Sequence, residues 1–206
     1  MRKIETIWHH LLWSALEKKQ FRHTQSGLAE FFGYSVSTVN HALKAPTQIG
    51  AIKKGGKFFV LESFQKLLYF WASNRNLEKD IVFSTYYPGN VLEIEGLLPS
   101  EAIFACYTSA KKILGEPPAD YDKVYFYAND KTIEQVKKRF AVGPKTGNNK
   151  PKNKANLFAL RTSPTMKQYG EFTTLPQTFV DVWNLKDWYS RDFCLALEKK
   201  INGILS

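Results

Sequence analysis

The segment over residues 24–45 constrains the fold more than any other part of this 206-residue chain, because it predicts two short helices joined by a tight turn. Thr24 suits the N-cap of a helix over residues 25–32. Gly33 follows, and glycine readily adopts the left-handed conformation that such a turn needs. Ala29 is small at the point where the two helices would cross most closely. The segment therefore predicts a compact helical pair.

The second helix of this pair is predicted to begin at Ser35 or Ser37 and to run to about Ala45, where Pro46 blocks its continuation. The apolar side chains of the pair are expected to fill the core beneath it: Leu28, Val36, Val39 and Leu43. Residues 24–43 resemble the helix-turn-helix pattern, in which the second helix presents polar groups to base edges and phosphates of duplex DNA. The resemblance implies this role for the polar side chains left on the second helix: Ser35, Ser37, Thr38, Asn40, His41 and Lys44.

The flanking segments extend this pattern. Apolar residues at helical spacing predict a preceding helix over residues 4–19. Residues 49–54 and 57–61 are extended segments joined by Gly55-Gly56, which predicts a β-hairpin with a tight turn. The lysines that flank this turn are candidates for contacts with phosphates or the minor groove, although lysines at a hairpin tip are also common solubility residues: Lys53, Lys54 and Lys57.

Helix, helix, helix and hairpin within the first 62 residues resemble the winged helix-turn-helix family of transcriptional regulators. The resemblance implies a DNA-binding domain over residues 1–62 whose partner is double-stranded DNA. A helical pair used only for packing or for protein contact is the alternative, since some winged helices bind proteins. The pattern changes near residues 62–66, which predicts a boundary there and a second domain over residues 63–206.

The second segment mixes helical and extended patterns, so the predicted fold class is α+β, with a winged helix-turn-helix followed by a mixed α/β domain. Extended runs predict strands over residues 81–87, 91–97, 124–128 and 157–161. Helices are predicted over residues 64–71, from Pro99 or Ser100 to Leu114, from a cap at Asp130, over residues 176–183, and around Phe193–Ile204.

The basic character of the chain is local. The net charge is +10, which favours a polyanionic partner, nucleic acid before membrane. Residues 1–62 carry nine Lys and Arg against four acids, and residues 143–170 carry six against none, so the remainder is slightly acidic. Residues 143–155 contain no large apolar side chain and predict a basic loop, either solvated or in contact with a second polyanion.

Sequence offers little support for catalysis. Glu93 and Glu95 would share one face of a strand, as a Mg²⁺-holding pair does in nucleotide-transfer enzymes, but no glycine-serine phosphate-binding turn lies upstream. All four histidines lie within the first 41 residues, and the adjacent His9 and His10 point about 100° apart on a helix, which does not suit a shared metal. We therefore expect no enzyme, no cofactor and no metal, and keep a degenerate or unusual nucleotidyltransferase as an alternative.

In layout the whole chain resembles the AbiEi-like antitoxins of type IV toxin–antitoxin systems. The stretches that carry this resemblance are Glu95–Tyr107, Val124–Ala128 and Leu175–Asp181. The resemblance implies an autorepressor of its own operon, with a C-terminal α/β domain, in part related to nucleotidyltransferase folds, that restrains a toxin. The neighbouring gene would separate an antitoxin from a regulator that senses another signal.

Three further expectations concern the setting of the protein. No apolar run approaches the ~18–20 residues that cross a bilayer, and the N-terminus lacks a signal-peptide core, so a cytoplasmic protein without a membrane partner is expected. Cys106 and Cys194 are too few for a disulfide scaffold. The sequence predicts neither the operator nor the oligomeric state.

Overall fold

The computed structural model of the protein describes residues 1–141 and 154–205 and has an α+β fold with two small sheets. The helices are α1 (Lys3–Lys18), α2 (Gln25–Phe32), α3 (Val36–Gln48), α4 (Phe64–Asn74), α5 (Val91–Gly96), α6 (Cys106–Leu114), α7 (Asp130–Ala141), α8 (Leu175–Trp183) and α9 (Ser190–Leu205), with short 3₁₀ helices at Leu77–Asp80 and Met166–Tyr169. The strands are β1 (Arg22–His23), β2 (Ile52–Lys54), β3 (Phe59–Leu61), β4 (Ile81–Thr85), β5 (Ile103–Ala105), β6 (Val124–Ala128) and β7 (Leu157–Arg161).

The predicted basic loop over residues 143–155 lies outside the described residues except for its last two positions, of which Lys154 is exposed. Among the residues that the structure describes, no helix is both long and apolar enough to cross a membrane.

The predicted helical pair is confirmed, together with its caps. The Thr24 hydroxyl accepts a hydrogen bond of 3.0 Å from the backbone N–H of Gly27 at the start of α2. Gly33 ends that helix with φ 64°, in the left-handed region. The alternative between two caps for α3 is settled in favour of Ser35, whose hydroxyl accepts from the backbone N–H of Thr38 at 3.1 Å. The start of α2 and the start of α3 therefore each have a side-chain acceptor for one of the backbone N–H groups that lack a partner within the helix.

Pro46 does not stop α3, which continues to Gln48, so this prediction was wrong. Proline at position 46 cannot donate to the carbonyl of Ala42, four residues earlier. The indole Nε1–H of Trp8, on α1, donates to that carbonyl instead, at 2.7 Å in the core. A side chain from another helix therefore supplies the hydrogen bond that proline removes.

The predicted hairpin is confirmed, but its strands are shorter and its turn is wider. Strands β1, β3 and β2 form one antiparallel sheet, in that order, and Lys54 pairs with Phe59 across the hairpin. The connection spans residues 55–58 and is closed by a 2.8 Å bond from the N–H of Gly55 to the carbonyl of Phe58. Residues 49–51 are not part of β2, because the N–H of Ala51 donates back to the carbonyl of Pro46.

The second sheet has the order β4-β7-β6-β5. Strands β6 and β7 run parallel, and the two outer strands run antiparallel to their neighbours. The predicted strands over residues 81–87, 124–128 and 157–161 are confirmed in this sheet, the first of them shortened to β4.

Three predictions in this region were wrong. Residues 91–97 form mainly α5, because Asn90 and Glu93 make a capping box that starts a helix. The helix expected from Pro99 or Ser100 begins only at Cys106, since residues 103–105 pair with β6 as strand β5. The cap of α7 is Asn129 rather than Asp130: its side-chain oxygen accepts from the N–H of Thr132 at 2.9 Å.

Helix α1 is the centre of the molecule. Its buried side chains lie on every side of the helix and include Glu5, Trp8, His9 and Leu12. It packs against α3 and α4 and also against α8 and α9. The predicted boundary near residues 62–66 lies at the junction of β3 and α4, and a single apolar cluster continues across it from α1 to α9.

A buried ionic cluster also joins the two segments. The Arg75 guanidinium, 2% exposed, lies 3.3 Å from the carboxylates of Glu5 on α1 and Asp181 on α8. Its Nη2 donates to the Tyr127 hydroxyl at 2.8 Å, and that hydroxyl donates to Asp181 at 2.8 Å. Gln177 donates to the same carboxylate at 2.9 Å. Each buried charge therefore has an opposite charge and several hydrogen bonds.

Candidate nucleic-acid interface

The predicted interface side chains of α3 lie on its solvent side. Val39, Ala42 and Leu43 are buried where α3 packs against α1 and α2. The opposite face carries the predicted set, of which Thr38 is half-buried and the rest are exposed: Ser35, Ser37, Thr38, Asn40, His41 and Lys44. Val36, predicted to lie in the core, is 50% exposed, because it falls in the first turn beside the hairpin.

Asn40 and Lys54 are joined directly. The Nζ of Lys54, on β2, donates a hydrogen bond of 2.8 Å to Oδ1 of Asn40, on α3. Both side chains are exposed, so the bond lies at the surface between helix and hairpin. Because Oδ1 has a second lone pair and the amide NH₂ has two donors, Asn40 retains hydrogen-bonding capacity toward a ligand.

A groove of about 260 Å³ lies beside this contact. It is bordered by the first turns of α2 and α3, through Ser26 and Val36, and by the hairpin, through Lys54 and Lys57. Sequence reasoning missed Gln25 and Ser26, which border the same groove at the start of α2. Their polar character is visible in the sequence, but only the position of the hairpin relative to α2 places them at this groove.

The remaining predicted residues divide by their contacts. Lys53 lies 3.9 Å from the Glu62 carboxylate, with its side chain 75% exposed, and so has a partial partner within the chain. Among residues 1–141 and 154–205, no carboxylate lies within 4.0 Å of Lys44, Lys54 or Lys57. Ser35 and Thr38 are bonded to each other at 2.9 Å, so their hydroxyls already serve the cap.

The acidic pair does not form a site. On α5, Glu93 and Glu95 are two positions apart, which directs their side chains about 200° apart. Glu93 accepts from the backbone of Asn90, and Glu95 accepts from the Thr108 hydroxyl at 2.7 Å. Within the part of the chain that the structure describes, no three His, Cys, Asp or Glu side chains are grouped so as to hold a metal ion.

Two of the histidines are groups of the protein interior. Burial, with a contribution from His10, lowers the pKa of His9 to about 3. Burial also lowers the pKa of His10 to about 4, with contributions from His23 and Lys18. Nε2 of His9 lies 2.8 Å from the Thr174 hydroxyl, and Nδ1 of His10 lies 2.9 Å from the Tyr169 hydroxyl. Both imidazoles are therefore neutral at pH 7 and connect α1 to the C-terminal segment.

No protein-family model, curated protein or solved structure matches this chain. The resemblances to winged helix-turn-helix regulators and to AbiEi-like antitoxins therefore depend on the residues of this sequence alone.

Proposed function

We propose that the protein is a DNA-binding transcription regulator in which residues 1–62 act as a winged helix-turn-helix. In this proposal α3 enters the major groove, and the β2–β3 hairpin contacts the backbone or the minor groove beside it. Residues 63–206 form the part that binds a partner or senses a signal, and the protein acts by binding rather than by catalysis.

The hydrogen bond between Lys54 and Asn40 is the observation that carries the proposal. A nucleic-acid reader needs base-reading groups and phosphate-binding groups on one surface, in fixed register. Here an exposed amide on a helix and an exposed ammonium on a hairpin lie on one surface at hydrogen-bond distance. An asparagine suits adenine, because Oδ1 accepts from N6–H and Nδ2 donates to N7.

Local charge supports duplex DNA over a protein partner for this face. Lys44, Lys54 and Lys57 have no carboxylate within 4.0 Å among the described residues, so they carry uncompensated positive charge. Cations of this kind release condensed counterions when they meet phosphates. A winged helix used as a protein-interaction module is the alternative proposal, and it predicts no duplex affinity.

The antitoxin role is a narrower proposal for the C-terminal segment. Trp188 is 79% exposed and Leu195 is 54% exposed, and large apolar side chains at a surface are suited to a protein partner. Co-expression with the product of the adjacent gene, followed by purification through a tag on one chain, tests this role. Failure to co-purify would leave a regulator without a toxin.

Selection of bound fragments from genomic DNA, followed by anisotropy titration on the recovered sequence, tests the main proposal. We expect Lys54→Gln with Lys57→Gln to weaken binding about tenfold or more at moderate salt. The control is Lys199→Gln with Lys200→Gln, two exposed lysines of α9, which removes the same charge elsewhere. Equal affinities for the two double variants, or no recovered fragment, would contradict duplex binding through this face.

A further inference from the structure

A second cavity, of about 480 Å³, lies on another side of α2. It is open to solvent on one side and is bordered by the C-terminal half of α1, residues 20–23 and the first turns of α2. Its volume falls in the range of small-molecule sites, about 300–1,000 Å³. The groove described above, beside α3 and the hairpin, shares only Phe58 with this cavity.

The wall of the cavity is positively charged. Lys18 and Arg22 line it, and none of its lining residues is acidic. The Cζ atom of Arg22 lies 3.2 Å from the ring centroid of Phe58, another residue of the cavity wall, so the ring helps to keep the guanidinium at the cavity. In the described part of the chain, neither cation has a carboxylate within 4.0 Å. An anion is the ligand that this wall suits.

Flat rings form another part of the wall. Phe31 is 47% exposed, and its ring centroid lies 4.5 Å from that of His10. His23 lies beyond, with its ring centroid 6.1 Å from that of His10. Burial lowers the pKa of both imidazoles, so at pH 7 they are neutral aromatic surfaces. Rings of this kind favour a planar ligand.

Ser14 adds a polar group without a partner. Its side chain lines the cavity, it is 1% exposed, and its Oγ makes no hydrogen bond. Buried polar atoms in proteins are nearly always paired, so an unpaired hydroxyl at a cavity wall is a group that a ligand can use.

We infer that this cavity binds a small planar aromatic anion, such as an aryl carboxylate or sulfonate. The acidic group pairs with Arg22 and Lys18, the rings of Phe31 and His10 contact the planar part, and the Ser14 hydroxyl bonds a polar atom of the ligand. This inference is independent of DNA binding.

The probe is 1-anilinonaphthalene-8-sulfonate, whose fluorescence rises when it leaves water, and the neutral counterpart is N-phenyl-1-naphthylamine. We expect saturable binding of one sulfonate per chain, with Kd raised about tenfold by Arg22→Gln. Arg191→Gln, at an exposed arginine of α9, is the matched control and should leave Kd unchanged. Phe31→Ala should weaken both probes about threefold, and Arg22→Gln should weaken only the charged one.

Unchanged sulfonate binding in Arg22→Gln, or equal losses in Arg22→Gln and Arg191→Gln, would overturn the inference, provided that circular dichroism shows folded variants. A DNA titration distinguishes the other source of an anion at this wall. If Arg22→Gln reduces the salt dependence of duplex binding and leaves the sulfonate Kd unchanged, Arg22 serves a phosphate of DNA and the inference fails. Absence of duplex binding alone would contradict the proposed function but not this site.

Discussion

The ammonium group of Lys54 holds the side-chain oxygen of Asn40 at 2.8 Å, across 14 positions of sequence. Hairpin and helix therefore present one paired group rather than two independent side chains. Because Lys54 already fixes the amide of Asn40, less conformational freedom of this side chain remains to be lost on binding. The pair is therefore expected to act as a unit in DNA recognition.

Asn40→Ala is expected to cost about 1–3 kcal/mol on the preferred duplex and to leave binding to random duplex nearly unchanged, because the lost contacts are to base edges. Lys54→Ala should weaken binding to both duplexes. It should also lower the ratio of the affinity for the preferred duplex to that for random duplex, because Asn40 loses the hydrogen bond that orients its amide. Anisotropy titrations of both single variants and the double variant measure this. The two losses should be non-additive by about 0.5 kcal/mol or more.

Lys57→Ala is the control, because Lys57 borders the same groove without a bond to Asn40. It should weaken all sequences alike. Equal losses on specific and random duplexes for Asn40→Ala would assign Asn40 to folding or to a phosphate contact.

The salt dependence of duplex binding measures how many phosphates the lysines neutralise. With ~4–6 phosphates neutralised per protomer through Lys44, Lys53, Lys54, Lys57 and neighbouring donors, log Kobs against log salt should have a slope of roughly −4 to −5. Replacing Lys54 and Lys57 by Gln should make this slope less steep by about 2. A slope near zero from low to moderate salt would contradict duplex binding as the main activity.

The contact between Trp8 and the helix at Pro46 can be tested by stability. Trp8→Phe leaves the Ala42 carbonyl without its donor and should lower the free energy of unfolding by about 2 kcal/mol. In the Pro46→Ala background, residue 46 can donate to this carbonyl itself, so the same change should cost about 1 kcal/mol less. Urea denaturation measures both.

Trp71→Phe is the matched control for this cycle. Trp71 is fully buried like Trp8, but its indole N–H has no hydrogen-bond partner. Its substitution should therefore have the same effect with either residue at position 46. Identical losses for Trp8→Phe in both backgrounds would show that only packing is involved.

The buried imidazole of His9 predicts a loss of stability in acid. Its pKa falls from 6.5 in the unfolded chain to about 3 in the folded one, so the unfolded state binds the proton first as the pH falls. The contribution of neutral His9 to the free energy of unfolding is fully present above pH 6.5. It declines toward pH 3 by about 1.4 kcal/mol per pH unit. In His9→Gln the slope between pH 6 and 4 should be smaller by about that amount. His41→Gln, at an exposed site, is the control.

Arg75 is expected to be the most sensitive charged position in the chain. Arg75→Met leaves the buried carboxylate of Asp181 without a cation and leaves Glu5 with only the exposed Arg2, which should destabilise the protein by about 3–5 kcal/mol. Arg161→Met is the control, because Arg161 is 63% exposed and 3.6 Å from Asp130, and it should cost about 0.5 kcal/mol or less. Thermal unfolding measures both variants. Similar midpoint temperatures would contradict a stabilising role for the buried ionic cluster.

The sequence predicted correctly those helices and strands whose ends or faces are determined by neighbouring residues, such as caps, turn glycines and apolar runs. Thr24 and Gly33 lie at α2 where sequence placed them, and the apolar runs of β4, β6 and β7 are strands. The prediction failed at α5, because Val91–Leu97 has a strand-like composition, whereas the capping box between Asn90 and Glu93 starts a helix. It failed at Pro46 because the compensating donor is Trp8, 34 positions away.

The site was predicted in part for the same reason. Polar residues on one helix face are visible from periodicity, so the solvent side of α3 and the lysines of the hairpin could be predicted, whereas their contact with DNA stays a prediction. The bond between Asn40 and Lys54 depends on how the hairpin folds back over α3, and Gln25 joins the groove only in three dimensions. Arg75 and Asp181 are 106 positions apart, and no sequence pattern relates them.

The burial of α1 on every side has a consequence for engineering this protein. A segment that ends after the hairpin would keep α2 and α3 but would leave the α8-facing and α9-facing sides of α1 bare, with Glu5 and His9 facing water. Residues 1–62 are therefore poor material for a hybrid repressor made by grafting. The proposed DNA-binding surface can be redesigned within the full chain, residue by residue, but not moved to another protein as residues 1–62 alone.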